Sequence, residues 1–230
     1  MENKSVGFHG QIAEAFNEKY SKSQDFIERF SVWKSVLDKH IPGSGTTLDL
    51  GCGSGIFSYE LSRLSKSVIG IDGSSEMLSI AKKGAERNSI KNIDFIQGLI
   101  PDFIENNKDL PLFDAIISSS VLEYIPEINS TIKLMHGSLN KNGKMIVSVP
   151  NKRSLYRRAE YASFKLFGFP KYLDLVKNRY SVKEFSSLLK SYGFTVIDIK
   201  YYSIPGYLRF LKPVAGKDRI SNLFLVVAQK

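Results

Sequence analysis

The stretch LDLGCGSG, residues 48–55, places Gly51, Gly53 and Gly55 in five consecutive positions, and VIGID, residues 68–72, ends in Asp72, 21 positions after Gly51. Glycine tolerates positive φ and lets a ligand approach the backbone closely, so three of them where a strand hands over to a helix read as a ligand cradle rather than a plain turn. The dinucleotide fingerprint is G-x-G-x-x-G, whereas here position 56 is Ile and the spacing is G-x-G-x-G. Asp49, two residues before the first glycine, would repel a pyrophosphate but suits an ammonium or sulfonium charge. A carboxylate at the end of the second strand, as Asp72 is, can accept both hydroxyls of a ribose. The combined pattern asks for an adenosyl group joined to something cationic.

These residues need a scaffold, and the rest of the chain supplies its signals. Residues 10–19 and 24–40 read as helices, the second with Ile27, Phe30, Trp33, Val36 and Leu37 at three- and four-residue spacing. TTLDL is a short buried strand, and a helix runs from Ile56 to Ser65. SVIGID, IDFIQG, FDAIISSS and KMIVSVP are further strands, with helices over Ser75–Asn88 and Glu127–Leu139 and a turn at Asn142-Gly143. Strands alternating with helices imply a mostly parallel sheet covered on both faces. The tail breaks the rhythm: FTVIDIKYY (194–202) and NLFLVVAQK (222–230) are strand-like without a long helix between them, which suits an antiparallel pair at one sheet edge. The expectation is a single α/β domain over 1–230. It has an N-terminal helical segment (1–40), an insertion (151–180) and a helix over Ser181–Ser191.

Composition bounds the function. At 230 residues and 43% hydrophobic the chain can bury a full core. It has no apolar run of the roughly 18–20 residues that span a bilayer. Its start, MENKSVGFHGQIAEAF, lacks the apolar core of a signal peptide. Cys52 is the sole cysteine, so no internal disulfide forms, and a cytoplasmic location is expected. Residues 1–149 hold 16 Lys and Arg against 18 Asp and Glu, while residues 150–230 hold 16 against 5. The net charge of +9 therefore belongs to the last third, which points to an anionic partner or surface. No nucleic-acid-binding module is recognisable, and none is expected as a partner.

LDLGCGSG, VIGIDGSSEML, FDAIISSSVLEYI and LNKNGKMIVSVPN resemble, in order and spacing, the motifs of class I S-adenosylmethionine-dependent methyltransferases. The resemblance covers about residues 10–150 and is nearest to small-molecule members such as the quinone-pathway O-methyltransferases. It implies a Rossmann-like, seven-stranded, mostly parallel sheet with an antiparallel last strand, and S-adenosylmethionine as cofactor. By the same resemblance Asp49, Gly51, Cys52 and Gly53 would surround the methionine end, and Asp72, with Gly73 beside it, would hold the ribose. Ser118 and Ser119 would lie beneath the cofactor near the methyl group, and Tyr20 would cover it. Leu99 stands where relatives often carry an aspartate for the adenine amine, so apolar packing, backbone groups or Asp102 would hold the base. Some quinone-pathway relatives supply E-x-x-E-H as metal ligands; here Ser120–Tyr124 retain only Glu123, so no metal is expected.

The implied reaction is methyl transfer to a small-molecule oxygen or nitrogen, which needs a base only if the acceptor is protonated. Tyr124, just after the fourth strand, and His9, in the segment that would cover the site, are the candidates for that role; His136 and Tyr180 are weaker ones. Residues 151–180 occupy the place of a substrate cover, with Arg157, Arg158 and Phe164 expected against the acceptor. That acceptor would be anionic or carrier-bound, or the basic face would contact an acidic membrane surface. RNA or protein methylation, and a cofactor-binding partner without catalysis, are the rival readings.

Overall fold

The computed structural model describes residues 4–11, 13–107, 109–211 and 215–230; the side chains at 9, 15–17, 19, 21 and 211 also lie outside the description. Helices α1 (Lys4–Gln11), α2 (Ala13–Lys22) and α3 (Gln24–His40) lead into strand β1 (Ser44–Leu50). There follow α4 (Ile56–Leu64), β2 (Ser65–Asp72), α5 (Ser75–Arg87), β3 (Ile93–Gln97), α6 (Asp102–Asn106) and β4 (Phe113–Ser119). The second half runs α7 (Ile128–Ser138), β5 (Leu139–Pro150), α8 (Leu155–Phe167), α9 (Val182–Ser191), β6 (Thr195–Tyr202), α10 (Lys217–Ile220) and β7 (Leu223–Gln229).

Among the described residues the strands form one sheet in the order β3-β2-β1-β4-β5-β7-β6, parallel except where β7 runs against both β5 and β6. This is the expected Rossmann-like arrangement, reversed strand included. The last four residues of β1 are buried on alternating faces, because a central parallel strand is covered by helices on both sides. One core, around Leu50, Ile71, Ile116 and Val147, is closed by α7 and α9 through Met135 and Phe185. The other, around Leu61, Ile117 and Leu225, is closed by α3, whose Trp33 lies 4.9 Å from Phe57 and donates its indole N–H to the buried Tyr202 hydroxyl at 3.2 Å.

From β1 the chain winds outward to β3, then returns to β4 on the other side of β1. The carboxyl ends of β1 and β4 therefore diverge into the crevice where open α/β sheets bind ligands. Local sequence starts the helices that border it: the Ser74 hydroxyl accepts the Met77 N–H at the start of α5, and Ser154 accepts that of Arg157 at the start of α8.

Two expectations shift. Helical structure extends beyond 10–19 at both ends, over Lys4–Gln11 and Ala13–Lys22. The expected turn at Asn142-Gly143 lies inside β5, where Asn142 adopts φ 66°. Asparagine tolerates the left-handed region, so the strand kinks and continues. Within the insertion, α8 is followed by a 3-10 turn at Lys171–Asp174.

Candidate active site

Gly51, Gly53 and Gly55 all adopt left-handed backbone, with φ 74°, 53° and 82°. The backbone N–H groups of Gly51 and Cys52 donate to the Ile71 carbonyl at 2.7 and 2.9 Å, folding the loop back onto β2. The Asp72 carboxylate accepts the Gly53 N–H at 2.8 Å on one oxygen and the Ser74 N–H at 2.9 Å on the other. It thus locks the loop to the start of α5. A side chain at 51 would collide with Val121, whereas one at 53 would meet only the Met77 sulfur, at 3.9 Å. Gly51 serves packing; Gly53 keeps a space open.

That space is a cavity of about 690 Å³, walled on one side by Gly51, Gly53 and Asp72 and on the other by Ser119, Glu123 and Arg157. Cys52, Gly73, Leu99 and Tyr20 also line it, as does Tyr124. Tyr20 meets Phe26 and Phe57 edge-on at 5.0 and 6.0 Å.

Other expected residues lie elsewhere. Asp49 is buried behind the glycine loop, where it accepts the Ser58 hydroxyl at 2.6 Å. Burial pushes its carboxyl up to about 7; the Ser58 bond pulls it down and the Asp72 charge adds to the rise. The Ser118 hydroxyl points into the sheet, buried, and donates to the Leu50 carbonyl at 2.9 Å, so it ties β4 to β1 instead of facing the cavity. Its neighbour Ser119 faces the cavity because successive strand residues alternate sides. On α8, Arg157 reaches the cavity, but Arg158 lines a separate groove on the far side of the helix and Phe164 lines neither. Consecutive helical residues point about 100° apart, so one helix cannot aim both arginines inward. His136 packs edge-on against Phe194 at 5.0 Å, away from the cavity, and Tyr180 packs on Phe185 at 5.3 Å. The His9 side chain lies outside the described residues.

The structure adds Arg29, which the motifs did not single out, and gives Glu123 a surrounding they did not foresee. Arg29 of α3 donates to the Ser119 hydroxyl at 2.6 Å and carbonyl at 3.1 Å, and lies about 6 Å from the rings of Phe26 and Phe57. It has no carboxylate at ion-pair distance among the described residues. The signal was available: Arg29 falls three residues after Phe26 and four before Trp33, a charge on the apolar face of a helix. Glu123 is 4% exposed, and its Oε2 has no hydrogen-bond partner among the described residues. Burial lifts its carboxyl to about 7, against the downward pull of its own backbone bond and of Arg29 and Arg157. Burial also raises the neighbouring Tyr124 phenol, with the Glu123 charge adding to it. Arg157 donates to Glu160 at 2.9 Å and to the Tyr172 hydroxyl, which in turn donates to Glu160 at 3.0 Å. Among the described residues no group of three or more His, Cys, Asp or Glu could hold a metal ion.

A glycine cradle at the sheet's switch point, a carboxylate at the end of β2 and a polar chamber beyond them have the form of a nucleotide-binding crevice in an open α/β sheet. A family model described as a methyltransferase domain matches residues 43–191, and the chain belongs to that family. A ubiquinone biosynthesis O-methyltransferase of Pelagibacter ubique is 36% identical over 105 residues, which cover 46% of this chain and 42% of that protein. The chain thus matches less than half the length of such curated relatives. A carboxy-S-adenosyl-L-methionine synthase of Campylobacter jejuni is 26% identical over 234 residues, covering 94% of this chain and 95% of that one. The crystal structure of the magnesium protoporphyrin IX methyltransferase of Synechocystis, with bound SAH, shares the fold across both chains in full, at a TM-score of 0.73 and 17% identity.

Proposed function

We propose that the protein transfers a methyl group from S-adenosylmethionine to an oxygen, or else a nitrogen, of a small-molecule acceptor. The observation that carries this reading is the single cavity that joins the glycine cradle and Asp72 to a chamber lined by Glu123, Tyr124 and Arg157. The residues fit the cofactor. The Asp72 carboxylate, oriented by the Gly53 and Ser74 N–H groups, stands at the end of β2, where a carboxylate meets the ribose of a bound nucleotide. The carboxylates of buried Asp49 and half-buried Asp72 favour the ammonium and sulfonium of the amino-acid end, and Arg29 is the counter-charge for its carboxylate. Leu99 offers the adenine an apolar contact. When bound, the sulfonium supplies an activated methyl and a neutral leaving group, so the protein's contribution is chiefly to position the acceptor. Glu123, with its carboxyl near 7, would take a proton from the acceptor, and the protonated Tyr124 phenol beside it would donate a hydrogen bond.

Calorimetry with S-adenosylhomocysteine should give a micromolar-range dissociation constant. A metabolite panel scored by S-adenosylhomocysteine release should then reveal the acceptor. No binding at millimolar ligand would overturn the reading. The near-full-length similarity to a carboxy-S-adenosyl-L-methionine synthase supports a second one, in which the cavity holds a cofactor with an added carboxylate facing Arg29 or Arg157. Mass spectrometry of the nucleotide that co-purifies separates the two.

A further inference from the structure

The outer face of α8 borders a second groove that shares no residue with the cavity. It measures about 830 Å³ and lies between α8, the start of α9 and α10. Lys152, Arg153, Arg158, Arg179 and Arg219 line it, and Glu184 is the one carboxylate among its lining residues. Lys152 is neutralised by Glu184 at 2.7 Å, and Arg153 by Asp218 at 3.1 Å. Arg158, Arg179 and Arg219 make no ion pair among the described residues. Arg179 is instead stacked over the Tyr161 ring at 3.7 Å, which fixes the plane of its guanidinium at the groove. Arg158, Arg179 and Arg219 line the same groove, and they come from three separate segments that the fold alone brings together. Guanidinium groups match phosphate oxygens through paired N–H donors, a geometry that ammonium groups lack.

We propose that this groove binds a phosphate group carrying two or more negative charges, on a phosphorylated small molecule or a lipid headgroup. The site is independent of the methyl-transfer reading, because Tyr156, Arg157 and Glu160 of α8 face the cavity while Leu155, Arg158 and Ala162 face the groove.

The probe is sodium pyrophosphate, titrated calorimetrically into the wild type and into Arg158→Gln/Arg219→Gln at constant ionic strength. Both substituted residues are exposed, so the fold should survive, and unchanged S-adenosylhomocysteine affinity or thermal midpoint verifies it. The expected result is saturable one-site binding by the wild type and at least a tenfold loss in the variant. Sedimentation with phosphatidic acid and phosphatidylcholine vesicles distinguishes the source, because the phosphomonoester of phosphatidic acid carries the second charge. Retention on phosphatidic acid that pyrophosphate competes away assigns a lipid headgroup; pyrophosphate binding without retention assigns a soluble phosphate. Absence of pyrophosphate binding overturns the proposal, as does equal binding by the variant or vesicle retention that pyrophosphate leaves untouched.

Discussion

Asp72 does two jobs at once. Its carboxylate holds the glycine loop and the start of α5 in register, and the same oxygens would meet a ribose. Asp72→Ala should therefore weaken S-adenosylhomocysteine binding by about 1–3 kcal/mol, the scale of hydrogen bonds to a charged group. Gly53→Val should abolish binding, since the side chain would enter the cavity from a left-handed backbone position that β-branched residues resist. Calorimetry on both variants checks the pair, and unchanged affinity in both would remove the cofactor assignment. Among the described residues Glu123 belongs to no group of three or more His, Cys, Asp or Glu, and a cation site needs several converging oxygens. Methyl transfer assayed with excess chelator should equal that with added magnesium; a large loss restored by magnesium would show ligands drawn from elsewhere.

At the scale of elements, α8 is lightly held. None of its residues is buried, and Leu166 and Phe167 are more than 70% exposed. Its anchor is the first turn, where the fully buried Ser154 hydroxyl accepts the Arg157 N–H and donates to Asn222 at 2.9 Å. Arg157, with Glu160 and Tyr172, adds a second tie at the cavity wall. Hydrogen exchange should be fast over the C-terminal half of α8 and slow in β1 and β4, because local opening follows buried contact. Ser154→Ala should extend fast exchange to the whole helix and cost about 1–2 kcal/mol of stability, as lost N-caps do. Protection in α8 equal to that of β4 would contradict a loosely held cover.

For the molecule as a whole, Asp49 and Glu123 pull stability one way near neutrality, and His136, lowered by burial and Lys230, pulls more weakly the other way. Both carboxyls are held at about 7 in the fold by burial, against an ordinary carboxyl value near 4. The folded protein therefore binds more protons than the unfolded chain between about pH 4 and 7, and stability from these groups is lost as pH rises through 7. Glu184, held down to about 2 by Lys152 and the N-cap of α9, and Asp198, held low despite burial by Lys39 and His40, act only at more acid pH. The ligand-free thermal midpoint should fall from pH 5.5 to 8.5, and Asp49→Asn with Glu123→Gln should flatten the profile. Added S-adenosylhomocysteine should stabilise more at pH 8 than at pH 6, because its ammonium favours ionised Asp49. Superimposable profiles for wild type and double variant would refute this account.

The cradle was legible in the sequence because it is local: three glycines, Asp49 and Asp72 lie within 24 residues, and backbone conformation and strand ends are set by near neighbours. The alternating elements were legible for the same reason, as was the antiparallel tail, whose two strands lack a crossover helix. What the tertiary structure decided is which side chains of an element face the crevice. It turned Ser119 inward and Ser118 into the sheet, and Arg157 inward and Arg158 outward. Arg29 was brought onto the end of β4 from 90 residues away in the chain. Such pairings depend on how α3 and α8 dock against the sheet, and docking is fixed by burial and packing summed over the whole core, which spacing along the chain does not encode.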